Sequence, residues 1–216
     1  MIRLMPYRYG LCVYGLCVAA LLLSAFAWAS DAVAAPVPCD YVREAPENDE
    51  ERREQAERDR LWTQLQLYAA VLPKEPDAQL LMPVAGVRTS QVADTWGAPR
   101  GGGRLHEGQD IFAPSGTPIF AATDGFVWRK GTSRLGGMVV WLVGAGARRY
   151  YYAHLSAYGD IEEGDMVTTD TIIGYVGNTG NARTTPPHLH FGVYFGSRRT
   201  CNRVVIDPLP LIANRE

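Results

Sequence analysis

The chain has 216 residues and a formal net charge of −2, with 47% hydrophobic and 20% charged residues. That length and composition suit one main globular domain with extensions, and the near-neutral charge gives no footprint for nucleic acid as a partner. The 22 glycines and 14 prolines cluster after Pro83 and favour a turn-rich β domain over a helical one.

Arg3 and Arg8 precede an apolar run from Gly10 to Trp28, and Asp31 is the first acidic residue. This is the layout of an export signal, and Ala27-Trp28-Ala29 and Ala32-Val33-Ala34 both fit a small-x-small cleavage site. The run exceeds the roughly 7–15 apolar residues of a cleaved signal and approaches the roughly 17–25 that span a bilayer. Residues 1–34 therefore read as either a signal peptide or an uncleaved membrane anchor. Both put the rest of the chain outside the cytoplasm, in the periplasm or cell envelope. Cys12 and Cys17 lie in the run. Cys39 and Cys201 remain, and an oxidising compartment favours a disulfide between them.

Residues 35–78 form a charged extension. Arg, Glu and Asp dominate positions 43–60, after which Leu61, Leu65, Tyr68 and Leu72 recur at helical spacing. The pattern predicts one helix from Glu47 to Val71, ended by Pro73 and Pro76. Such a helix packs on its own domain as a spacer, or serves as an arm that covers a groove or meets a regulatory protein partner.

From residue 79 to 216 the texture is that of an all-β domain. Short β-rich runs cover 117–122, 125–128, 138–143, 149–154, 171–176 and 189–195, separated by turn residues. Gly144-Ala145-Gly146-Ala147 reads as a hairpin loop. Closely spaced strands without intervening helices predict a mainly antiparallel sandwich or barrel-like domain.

All four histidines, His106, His154, His188 and His190, fall in this domain. In His188-Leu189-His190 the two imidazoles are two residues apart, so on a strand they share one face while Leu189 points into the core. His106-Glu107-Gly108-Gln109-Asp110 would hold its end residues about 13 Å apart if flat. Ligands of one zinc each lie about 2 Å from it, so a shared site requires the segment to curve, and Gly108 supplies the backbone freedom. His154 lies at the end of a predicted strand in Tyr151-Tyr152-Ala153-His154-Leu155. A lone histidine is more often a hydrogen-bonded core or surface residue than a ligand, but a chain with only four has no spares. Catalytic zinc takes three protein ligands and leaves one position for water. Two His and one Asp would fill that role and leave two His for acid–base work.

Five segments, in order, carry a resemblance: His106-x-x-x-Asp110, Ala113-Pro114-x-Gly116-Thr117-Pro118, Tyr152-Ala153-His154-Leu155, Gly177-Asn178-Thr179-Gly180 and Pro187-His188-Leu189-His190-Phe191. From about Met82 to Tyr194 the chain closely resembles the lysostaphin-type, or LytM-like, zinc endopeptidases. The resemblance implies an antiparallel β fold with a narrow groove, zinc (Zn2+) on His106, Asp110 and His190, and His154 and His188 as catalytic residues beside the metal-bound water. It implies hydrolysis of peptidoglycan peptides. Two other readings are a non-catalytic LytM-like module that activates other cell-wall hydrolases, and a protease for exported proteins. Intact residues at all five site positions favour an enzyme over the first of these.

Overall fold

A computed structural model describes Pro46, residues 48–196 and residues 202–216. The apolar run of residues 10–28, Cys39 and Cys201 lie outside the described residues, and with them the expected signal or anchor and the expected disulfide. No helix among the described residues is long and apolar enough to cross a membrane.

The chain-order elements begin with helix α1 (Asp49–Val71). There follow strands β1 (Leu80–Leu81), β2 (Pro99–Arg100), β3 (Arg104–Leu105), β4 (Gln109–Phe112), β5 (Pro118–Phe120), β6 (Gly125–Ser133) and β7 (Gly137–Gly144). The remaining strands are β8 (Arg149–Leu155), β9 (Ala157–Tyr158), β10 (Met166–Val167), β11 (Ile172–Tyr175), β12 (His188–Phe195), β13 (Val204–Ile206) and β14 (Ile212–Ala213). A seven-stranded antiparallel sheet runs β10-β6-β7-β8-β12-β13, with β4 also paired to β12. A smaller sheet runs β5-β11-β9. The two sheets enclose the core, and among the described residues no sheet closes into a barrel. The expected β domain with an N-terminal helix is what forms, in the open-sheet version.

Strand alternation sorts the residues of the large sheet. Val140 and Leu142 on β7, Tyr150 and Tyr152 on β8, and Leu189, Phe191 and Val193 on β12 are fully buried in one core. Their neighbours Trp141, Tyr151, His188, His190 and Tyr194 therefore lie on the opposite face. That second face carries both the histidines and the helix.

Asn48 caps α1: its side-chain oxygen accepts from the Glu51 backbone N–H at 2.9 Å, and its amide donates to the Glu51 carboxylate at 2.8 Å. This satisfies one of the helix's orphan donors, so the helix starts at Asp49 rather than Glu47. It stops where predicted, because Leu72 is forced extended by Pro73. Leu61, Leu65 and Leu72 are buried, as their spacing predicted. Leu65 and Leu72 pack with Val143, and Tyr68 stacks on Phe126 with centroids 4.7 Å apart. The helix is thus docked on its own domain, over β6 and β7. An aromatic run links it to the histidines: Trp128 to Trp141 at 6.0 Å, Trp141 to Tyr151 at 4.3 Å, and Tyr151 to His190 at 5.8 Å. Trp128 also donates its indole N–H to the Leu61 carbonyl at 2.8 Å.

Candidate metal centre

The site is built on the middle of the large sheet, where β12 pairs β4 on one edge and β8 on the other. His190 lies opposite Asp110 of β4 and Ala153 of β8 in register. His188 and His190 share a face, as their spacing predicted, and Leu189 is fully buried behind them. The chain breaks its strand between Leu105 and Gln109, which brings His106 back over Asp110.

The bend depends on Gly108 for a different reason than expected. Gly108 is not in the left-handed region. Instead a Cβ there would lie 2.5 Å from the Phe191 carbonyl oxygen and 2.8 Å from the His190 ring. The glycine is needed for close approach of two backbones, not for unusual dihedrals. True left-handed backbone occurs at His154 itself, with φ of 66°. A non-glycine residue in that region is strained and persists where its surroundings over-determine it. Here the His154 N–H donates to the Gly136 carbonyl at 2.7 Å.

Three ligand atoms converge. His106 Nε2 lies 2.8 Å from His190 Nδ1, and Asp110 Oδ1 lies 3.1 Å from the first and 3.2 Å from the second. Atoms about 2.0–2.1 Å from a tetrahedral zinc stand about 3.3–3.4 Å apart, so this triangle fits one such ion after movements of a few tenths of an ångström. The donor set of two imidazoles and one carboxylate suits a divalent transition metal. The cluster can hold a metal ion.

Neighbouring groups fix each ring. A carbonyl can only accept, so His106 Nδ1 donates to Thr95 O (2.7 Å), His154 Nδ1 to Thr179 O (2.8 Å) and His188 Nδ1 to Pro186 O (2.8 Å). In each neutral ring Nε2 is then the bare acceptor. For His106 it faces the cluster. His188 Nε2 is 3.8 Å from Asp110 Oδ1, and the His154 ring centroid is 5.0 Å from that of His188. His106, Asp110, His154 and His188 are all buried, and His190 is largely so. Burial acts to raise the Asp110 carboxyl, but the imidazoles of His106 and His190 packed against it outweigh burial and hold it well below the usual carboxylate range. Burial pushes His154 down to about 4, against the pull of the Thr179 carbonyl.

Several supporting residues left no clear mark in the sequence. Arg100 pairs with the outer oxygen of Asp110, Oδ2, at 2.6 Å, which leaves Oδ1 for the cluster. Thr95 accepts from His106 and donates its hydroxyl to Gln109, while the Asp110 N–H donates to that hydroxyl at 2.9 Å. Gln109, fully buried, also donates to Asp94 and Asp207. These contacts cross up to 98 positions, so no local pattern announces them. A groove of about 560 Å3 opens over the cluster, lined among others by Arg104, Leu105, Gly136, Tyr151 and Asn181.

The fold and the cluster together define a β protein of the LytM type. Residues 104–208 match the model of Peptidase family M23, and the chain belongs to that family. It is 39% identical over 124 residues to the L-Ala–D-Glu endopeptidase of Bacillus subtilis, covering 54% of this chain and 37% of that one. It is 37% identical over 112 residues to lysostaphin of Staphylococcus simulans, covering 51% and 22%. The chain thus spans well under half the length of these relatives. A solved structure of a candidate glycyl-glycine endopeptidase LytM from Ruminococcus gnavus superposes with a TM-score of 0.52 at 24% identity, over 78% of this chain and 75% of that one. That last likeness concerns the fold.

Proposed function

We propose that the protein is an exported zinc-dependent endopeptidase that hydrolyses peptide bonds in peptidoglycan stem peptides or cross-bridges. The observation that carries the reading is the convergence of His106 Nε2, His190 Nδ1 and Asp110 Oδ1 beneath an open groove, with two further imidazoles beside them. His106, Asp110 and His190 would hold the ion. Bound there, zinc would supply a Lewis acid for the scissile carbonyl and a water nucleophile near neutral pH.

The chain's own residues do the rest. His154 and His188, each with Nδ1 tied to a backbone carbonyl, present Nε2 to a water in the groove. One Nε2 takes the proton as the water oxygen bonds to the carbonyl carbon. The other, in its protonated imidazolium form, donates a hydrogen bond from Nε2 to the developing oxyanion. When the C–N bond breaks, the departing amine takes the proton back. Asp110 is held ionised by its histidine partners, and Arg100 fixes its outer oxygen. Export is supported by the basic and apolar layout of residues 1–34.

The test is digestion of purified peptidoglycan with mass spectrometry of the products. Zinc-loaded protein is expected to release muropeptide fragments newly cut at one type of peptide bond, and a chelator to stop release until zinc is restored. Peptidoglycan left intact by metal-loaded protein would refute the reading.

A further inference from the structure

The acidic residues lining the groove are both engaged. Asp110 is paired with Arg100, and Glu107 with Arg203. Other basic residues nearby have no carboxylate partner among the described residues. Arg104, on the groove's wall, donates its Nε–H to the Gly101 carbonyl at 3.1 Å and forms no ion pair among the described residues. Beyond the opposite wall, formed by residues 135–136 and 181–182, lies a second hollow of about 460 Å3. Arg134, Arg183, Thr132, Ser133 and Thr179 line it, with no carboxylate among its lining residues. Both arginines are exposed, and neither forms an ion pair among the described residues. The chain as a whole has slightly more acids than bases, so this local excess runs against its composition.

The two arginine-bearing loops are locked together. Asn181 N–H donates to Leu135 O and Met138 N–H to Thr179 Oγ1, both at 2.9 Å. Gly137 and Gly180 approach so closely that a Cβ on either would fall 2.2–2.3 Å from the other loop. Thr179 also accepts from His154 through its carbonyl. The backbones that carry the arginines are therefore held at a fixed place relative to His154, which lowers part of the ordering cost of binding there.

We propose that this hollow is a carboxylate subsite. Arg134 and Arg183 take a free carboxylate of the bound peptide on the His154 side of the scissile bond, with Arg104 facing the groove from the other wall. A guanidinium fork matches a carboxylate through paired N–H donors. The inference rests on the peptidase reading and narrows its substrate to acidic stem peptides, as against an uncharged glycine bridge.

The experiment compares peptidoglycan with free stem carboxylates and the same material amidated with carbodiimide and ammonia. Release of soluble fragments is measured for the full chain and for an Arg134→Ala/Arg183→Ala variant whose melting temperature is checked. Co-sedimentation of a His154→Ala protein with both materials, with and without the two arginine changes, reports binding without turnover. Free material is expected to be cut and bound about tenfold better than amidated material, and the double variant is expected to bring both ratios towards one. Digestion at equal rates, or a ratio that the double variant leaves untouched, would overturn the subsite and leave the peptidase reading standing. Carboxylate-dependent sedimentation without digestion would remove the peptidase reading and keep the subsite. Neither digestion nor carboxylate-dependent sedimentation would remove both.

Discussion

Gly108→Ala probes the geometry on which the metal centre depends. The new methyl would start 2.5 Å from the Phe191 carbonyl oxygen, against an ordinary contact of 3.4 Å or more, and 2.8–2.9 Å from the His190 ring. Close to 1 Å of movement is needed, and the carbonyl belongs to β12 within the sheet, so it yields little. The His106–Asp110 turn and the His190 ring must give instead. Overpacking of this kind costs about 1–3 kcal/mol. Metal sites tolerate ligand displacements of only about 0.2 Å, so the larger loss should fall on metal binding, by more than about tenfold. Chelator competition would measure affinity, and thermal melting of the metal-free protein would isolate the packing cost, at about 2–4 °C per kcal/mol for a domain near this size. A variant with wild-type zinc affinity and an unchanged metal-free melting temperature would refute the steric argument.

Other perturbations separate the roles of the site residues. His106→Ala or His190→Ala should abolish stoichiometric zinc binding, whereas His154→Ala and His188→Ala should keep the metal and lose about 10²–10⁴-fold in turnover; metal analysis alongside peptidoglycan digestion distinguishes the two pairs. Arg100→Ala should weaken zinc binding by about tenfold, since outer partners of ligating carboxylates typically matter at the 10–100-fold level. Unchanged or tighter binding would mean that Arg100 contributes its charge rather than orienting Asp110. Leu65→Ala, in the small cluster with Leu72 and Val143, should cost about 2–4 kcal/mol in thermal or denaturant unfolding; a loss below about 0.5 kcal/mol would show that α1 is not docked on the sheet in solution.

The sequence by itself determined those features that depend on short-range periodicity. The two-residue spacing of His188 and His190 put both rings on one face, and Leu189 in the core, because strand alternation allows nothing else. The spacing of Leu61, Leu65, Tyr68 and Leu72 marked the buried side of α1, and Pro73 fixed its end. The scarcity of histidine, with its motif settings, pointed to His106, His154, His188 and His190 and, through the His106-x-x-x-Asp110 segment, to Asp110 as candidates. Only the tertiary structure decided what lies across the sheet. The helix occupies the same face as the histidines because β6 and β7 belong to the same sheet as β8 and β12, in the order β6-β7-β8-β12 set by strand pairing that no local pattern encodes. Gly108 proved to be a matter of space because the atoms it must avoid belong to residues more than 80 positions away. The contacts of Arg100 with Asp110 and of Thr179 with His154, and the locking of the arginine-bearing loops, arise in the same way. Hydrogen bonds and steric contacts act at a few ångströms in space, and which residues come that close is a property of the folded sheet.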